Sequence, residues 1–194
     1  MAKILALAGS TRTESFNKKL IRIAADGARA AGAEVTLIDL RDHPLPLYDG
    51  DLEATQGLPA NAHAMRALFL AHQGLLIASP EYNSSITAVL KNTIDWVSRP
   101  VPDEPPLAPF IDKVAALMSA SPGALGGLRG LVHLRSILGN IKVIVLPEQV
   151  SVPRANEAFH ADGSLKDQKQ QAQVQRLGRG LAEFLDRLAR SAKA

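Results

Sequence analysis

Short apolar runs alternate with longer amphipathic stretches along this chain. Five runs, Ile4–Ala8, Val35–Leu40, Leu75–Ser79, Val114–Ser119 and Lys142–Leu146, show little polar alternation and are often β-branched, as strands buried on both faces should be. Between them, apolar residues recur at threes and fours. Leu20, Ile23, Ala24, Gly27, Ala28 and Ala31 form one helix face, which Gly32 closes. Met65, Leu68, Phe69 and His72 continue a second helix that begins around Leu58 or Pro59. Val89, Leu90, Ile94 and Val97 mark a third, and Leu128, Leu131, Val132, Arg135 and Leu138 a fourth, ended by Gly139-Asn140. Val174, Leu177, Leu181, Phe184, Leu185 and Leu188 trace a last helix.

Strand–helix alternation repeated five times predicts an α/β fold, a parallel sheet with helices on both faces. Five strands fit the flavodoxin-like order 2-1-3-4-5, in which ligands bind outside the strand carboxyl ends at the switch point. Three long connections, Arg41–Gly57, Arg99–Ile111 and Pro147–Lys166, hold much of the Pro and Gly and read as surface loops. A single domain over residues 1–194 is therefore expected.

Composition narrows the field. Hydrophobic residues at 46% and charged residues at 21% suit a soluble globular chain, and no apolar run approaches the roughly 18 residues of a membrane span. The opening Met1–Gly9 superficially resembles a signal sequence, but its apolar stretch is brief and leads straight into a polar turn, so it reads as a buried strand. With no cysteine there is no disulfide, thiolate nucleophile or cysteine-ligated metal, which permits a cytoplasmic address. His63, His72, His133 and His160 lack metal-like spacing, so no metal site is expected. The net charge is +3, with basic residues scattered and aromatics few, which argues against a nucleic-acid patch.

The candidate chemistry lies in turns after the first, third and fourth strands. Gly9-Ser10-Thr11-Arg12-Thr13-Glu14-Ser15-Phe16-Asn17 leaves the first strand tightly and enters a helix that Ser15 is placed to cap. Free amides at a helix start, side-chain donors from Ser10, Ser15 and Asn17, and the Arg12 fork favour an anion, although an ordinary capped helix has the same composition. No Walker lysine and no G-x-G-x-x-G occurs here. After the third strand, Pro80 ends the run and Asn83, Ser84 and Ser85 can cap the next helix. Tyr82 either stacks on a ring or fills a gap between subunits, and Glu81 fits solvent or a turn position better than general base catalysis. After the fourth strand, the glycines of Ser121-Pro122-Gly123-Ala124-Leu125-Gly126-Gly127 allow close backbone approach. Each turn alone has a bland reading. All three open on one predicted edge, and a phosphate cradle beside a ring wall points to a mononucleotide cofactor, flavin.

These segments, together with Leu90-Lys91-Asn92-Thr93-Ile94-Asp95-Trp96, resemble the NADPH-dependent FMN reductase family of flavin, quinone and chromate reductases. The resemblance implies that FMN is held by residues of the first turn, Ser10, Thr11, Arg12, Ser15, Phe16 and Asn17, with Ser10, Arg12, Ser15 and Asn17 on its phosphate. It implies that Pro80, Glu81, Tyr82 and Asn83 border the isoalloxazine, and that Ser121 and Gly123 lie against its other side. NADPH or NADH is the implied electron donor, and the partner a small-molecule acceptor. A homodimer or homotetramer is also implied, with the helix from Ile86 to Val97 in the contact and Trp96 offset from its core stripe. Ser84 departs from the glycine often found after Pro-Glu-Tyr-Asn. Chemistry on FMN needs no catalytic side chain. The alternative is a flavodoxin-like electron carrier without its own NAD(P)H oxidation; such carriers tend to be acidic, whereas this chain has 22 basic against 19 acidic residues.

Overall fold

In the computed structural model, which describes residues 1–191, each of the five apolar runs folds as a strand. β1 (Lys3–Ala8), β2 (Glu34–Asp39), β3 (Gly74–Ala78), β4 (Val114–Ala120) and β5 (Ile144–Val152) all pair in parallel, in the order β2-β1-β3-β4-β5. This is the expected flavodoxin-like order. Side chains alternate across each strand, so the sheet feeds two cores. Ile4, Ala6, Leu76, Ala116 and Met118 face α1 (Phe16–Ala30) and the last helix, α7 (Gln168–Ser191), which follows the one-turn α6 (Ala155–Ala158). Leu5, Leu7, Leu75, Ile77 and Leu117 face α3 (Ala60–Ala71), α4 (Ala88–Val97) and α5 (Leu128–Asn140).

The α1–α7 pair packs almost backbone to backbone. A Cβ at Gly27 would collide with the Gln175 carbonyl, and one at Gly178 with the Ala24 carbonyl. Small residues at both crossings let the two helices cover one sheet face together, which fixes where α1 begins at the far edge.

Three features depart from the expectations. The fifth strand runs on past Leu146 to Val152, so the segment Pro147–Lys166 is a loop only in its later part. Its register shifts between Ala115↔Val145 and Leu117↔Gln149, leaving Leu146, Pro147 and Glu148 as a bulge. Pro147 is tolerated because β5 is an edge strand. The Arg135 guanidinium donates to the Val145, Leu146 and Pro147 carbonyls and to the Gln149 side chain, satisfying the bulge from α5. Within the connection Arg41–Gly57 lies a short helix, α2 (Gly50–Gln56).

Trp96 is not on the outside of α4. It is fully buried, because Pro44–Tyr48 folds back across the helix. Its indole N–H donates 2.8 Å to the Pro46 carbonyl, and its ring meets the Tyr48 ring edge-on at 5.1 Å. Asn92 pins the same strap with bonds to Pro46 O and Tyr48 N. The segment from Ile86 therefore offers Lys91 and the neighbouring partly exposed positions, not the tryptophan, to any contact with a second copy.

Candidate active site

β1, β3 and β4 end on one edge of the sheet, and the three turns that follow them meet there. Gly9 N–H bonds to Ala78 O, Ser79 N–H to Met118 O, and Ser121 N–H to Val152 O, so adjacent strands hold the turns in register. A cleft of 220 Å³ opens between them, lined by Ser10, Arg12, Ser15, Phe16 and Asn17 on one side and by Pro80, Glu81, Tyr82, Ser121 and Pro122 on the other.

The first side is rich in unspent donors. Ser15 occupies the N-cap position of α1, but its hydroxyl makes no capping bond. Its carbonyl accepts from Lys18 and Lys19, while the N–H groups of Ser15, Phe16 and Asn17 find no protein acceptor among the described residues. Arg12 has no carboxylate partner among the described residues; its guanidinium lies 5.1 Å over the Phe16 ring, which itself stacks on Phe159 at 6.0 Å. A helix start with free amides, two serine hydroxyls and an unpaired guanidinium is a donor set for a phosphate monoester. FMN carries that group, so these residues fit it.

Asn17 differs from the expectation. Its side chain is buried and fully used: Nδ2 donates to Ala120 O at 2.8 Å, and Oδ1 accepts from Ala120 N–H at 3.0 Å. The side chain is a strap from α1 to the end of β4, and only its backbone N–H faces an anion. Thr11 and Gly123 lie outside the cleft lining. The Thr11 carbonyl turns away toward Arg41, and the Gly123 N–H donates to Ser121 Oγ while its carbonyl accepts from Gly126 and Arg154.

The other side is a wall whose polar groups are spent on each other. Tyr82 and Ser85 exchange two backbone bonds across a tight turn, with Asn83 and Ser84 at φ 50° and 66°. That is the left-handed pair of a type I′ turn, a conformation that favours glycine at the Ser84 position. Asn83 is a turn residue and does not line the cleft, and the helix cap expected from Asn83–Ser85 is supplied by Thr87, whose hydroxyl accepts from Leu90 N–H. The turn leaves Tyr82 standing 59% exposed at the cleft mouth.

Glu81 turns its carboxylate out of the cleft. Its side chain is only 8% exposed and accepts from Arg129 Nε and Nη2 and from the Gly130 N–H at 3.0 Å. α5 starts at Gly127 without a cap of its own, so Glu81 caps it from the neighbouring turn. Desolvation works to raise this carboxyl, but the Gly130 N–H and Arg129 outweigh it and hold it below the usual glutamate range. A triply bonded carboxylate held below the usual glutamate range is a clamp between the second and third turns, not a base. Gly127 lets them close: at φ 89°, a Cβ there would run into Ser119 Oγ.

Comparison with known proteins settles the class. The family model for NADPH-dependent FMN reductase matches residues 2–157. The chain is 37% identical to an NAD(P)H-dependent FMN reductase of Pseudomonas aeruginosa, covering 96% of each chain. It is 34% identical to a quinone reductase of Escherichia coli, over 86% of each. The chain belongs to the NADPH-dependent FMN reductase family. Among solved structures, a flavoenzyme NAD(P)H:(acceptor) oxidoreductase from Paracoccus denitrificans superposes with a TM-score of 0.78 at 25% identity, covering 96% of this chain and 98% of that one.

In this FMN reductase family member, two groups that support the cleft without lining it escaped sequence reasoning. Arg41, in the 3₁₀ turn just after β2, reaches the first turn, and Arg129, on α5, holds Glu81. Neither has a local signal: their partners lie 30 and 48 residues away.

Proposed function

We propose that residues 1–194 form one FMN-binding domain that oxidises NAD(P)H and reduces small organic acceptors, quinones or free flavin. When bound, FMN would supply the redox chemistry, a two-electron exchange between the nicotinamide and the acceptor. The chain's own residues bind and orient. Ser10, Arg12, Ser15 and the amides from Ser15 to Asn17 hold the phosphate. Pro80, the Tyr82 ring and Ser121-Pro122 confine the isoalloxazine, with Glu81 and Arg129 keeping the two walls together. The observation that carries this reading is the row of unspent donors at the start of α1, opening into the same cleft as the spent, rigid wall.

The cleft is shallow and Tyr82 stands exposed at its mouth, which supports a dimer or tetramer in which a second copy covers the flavin's open side. No helix among the described residues is long and apolar enough to cross a membrane, and no cluster suited to a metal occurs among them. The test is anaerobic addition of NADH or NADPH to the flavin-loaded protein, followed by a panel of quinones, free FMN, chromate and azo dyes. Bleaching near ~450 nm without a partner protein is the expected result, with turnover on at least one organic acceptor. Flavin that stays oxidised with either nicotinamide would instead make the chain an electron carrier.

A further inference from the structure

The first turn has carbonyls as well as amides, and a carbonyl facing the cleft would repel an anion. Two of them are pinned away from it. Gly9 O accepts from the Thr87 hydroxyl at 2.7 Å, in the buried seam with α4. Thr11 O accepts from Arg41 twice, from Nε at 3.0 Å and from Nη2. A trans peptide points its C=O and N–H in opposite directions. Fixing Thr11 O toward Arg41 therefore turns the Arg12 N–H back, and it donates to Ser10 Oγ at 3.3 Å. With that lone pair occupied, the Ser10 hydroxyl hydrogen is left to donate into the cleft that Ser10 and Arg12 line.

Arg41 is itself held. Its backbone N–H donates to Asp39 Oδ1 at 3.0 Å, and Asp39 Oδ2 receives Lys18 Nζ at 2.5 Å. The chain of contacts runs from α1 through the end of β2 and back to the turn that opens α1. We propose that Arg41 is a positioning residue for the anion site: by holding the Thr11 carbonyl away from the cleft, it keeps the Arg12 N–H and the Ser10 hydroxyl arranged for a phosphate. The inference rests on the phosphate reading above and adds a residue on the far side of the turn, which does not line the cleft.

The experiment titrates apo-protein with FMN and with riboflavin, which lacks the phosphate, following quenching of flavin fluorescence. Arg41→Met is expected to weaken FMN about five-fold, the size of one lost hydrogen bond, and to leave riboflavin unchanged. Arg41→Lys keeps the charge without the fork and should recover less than half of the loss. Unchanged FMN affinity in Arg41→Met overturns the proposal. So does an equal loss for both flavins, which would mark a merely structural role, or full recovery in Arg41→Lys, which would leave charge alone. Arg12→Ala, run alongside, separates the two levels. If it weakens FMN while Arg41→Met does not, only the inference falls; if neither variant affects FMN, the phosphate site falls with it.

Discussion

The turn after β1 and the turn after β3 lie on the same edge, yet they treat their hydrogen-bonding groups in opposite ways. The first leaves donors open: Ser15 caps nothing, three amides lack acceptors among the described residues, and Arg12 faces no carboxylate. The second closes on itself. Tyr82 and Ser85 satisfy each other, His133 bonds Ser85 Oγ at 2.9 Å, and Glu81 is tied to Arg129 and Gly130. Open donors recognise a ligand by charge and give up little on binding it. A turn whose backbone and carboxylate are already paired recognises by shape, because those groups have little left to offer a ligand. Phosphate at one end and planar ring at the other is the ligand for which that division makes sense.

The largest expected effect comes from breaking the closed side where it is tightest. Gly127→Ala puts a Cβ into Ser119 Oγ at a φ of 89°. Left-handed strain and overpacking together should cost about 3 kcal/mol in a urea melt, with the ring wall displaced. Next, Arg12→Ala on the open side should weaken FMN roughly ten- to hundred-fold in a fluorescence titration while sparing stability, since the Arg12 guanidinium has no carboxylate partner among the described residues and rests over the Phe16 ring.

Glu81→Gln sharpens the comparison differently. If Glu81 is a clamp, stopped-flow reduction of bound FMN by NAD(P)H, at saturating FMN, should stay within about ten-fold of wild type, against 10²–10⁴-fold for a lost acid or base. The sign of its pH dependence follows from its depressed carboxyl. The clamp is intact above the ordinary glutamate value of about 4.3 and is lost only as pH falls through the lower folded value, so wall rigidity should be flat through neutral pH. Smallest is Ser84→Gly. Relieving a serine at φ 66° should stabilise the protein by about 1 kcal/mol, partly offset by the entropy glycine loses on folding, with flavin affinity unchanged.

The sheet was legible in the sequence because parallel strands buried on both faces read as unbroken apolar runs, and Ile4–Ala8 or Val114–Ser119 could be little else. β5 was cut short for the same reason in reverse. Pro147 and Glu148 look like a loop, and only Arg135, reaching across from α5, makes them part of a strand. Trp96 was misplaced because its burial depends on Pro46 and Tyr48, some 50 residues earlier, folding back over α4. At the cleft, residue types announced the open side, since free donors are a local property of a strand–turn–helix junction. The ties that hold the turns to their neighbours are long-range pairs. Asn17 with Ala120 spans 103 positions and Glu81 with Gly130 spans 49, so one chain's pattern shows the partners without showing that they meet.

The central claim is that charge recognition resides at the start of α1 and shape recognition in the walls after β3 and β4. It is tested most directly by titrating the wild-type apo-protein with FMN and riboflavin in parallel, since the two ligands share the ring and differ at the phosphate. The account predicts that FMN binds at least about a hundred-fold more tightly, the yield of two or so charge-assisted hydrogen bonds. Equal affinities for the two flavins would contradict it.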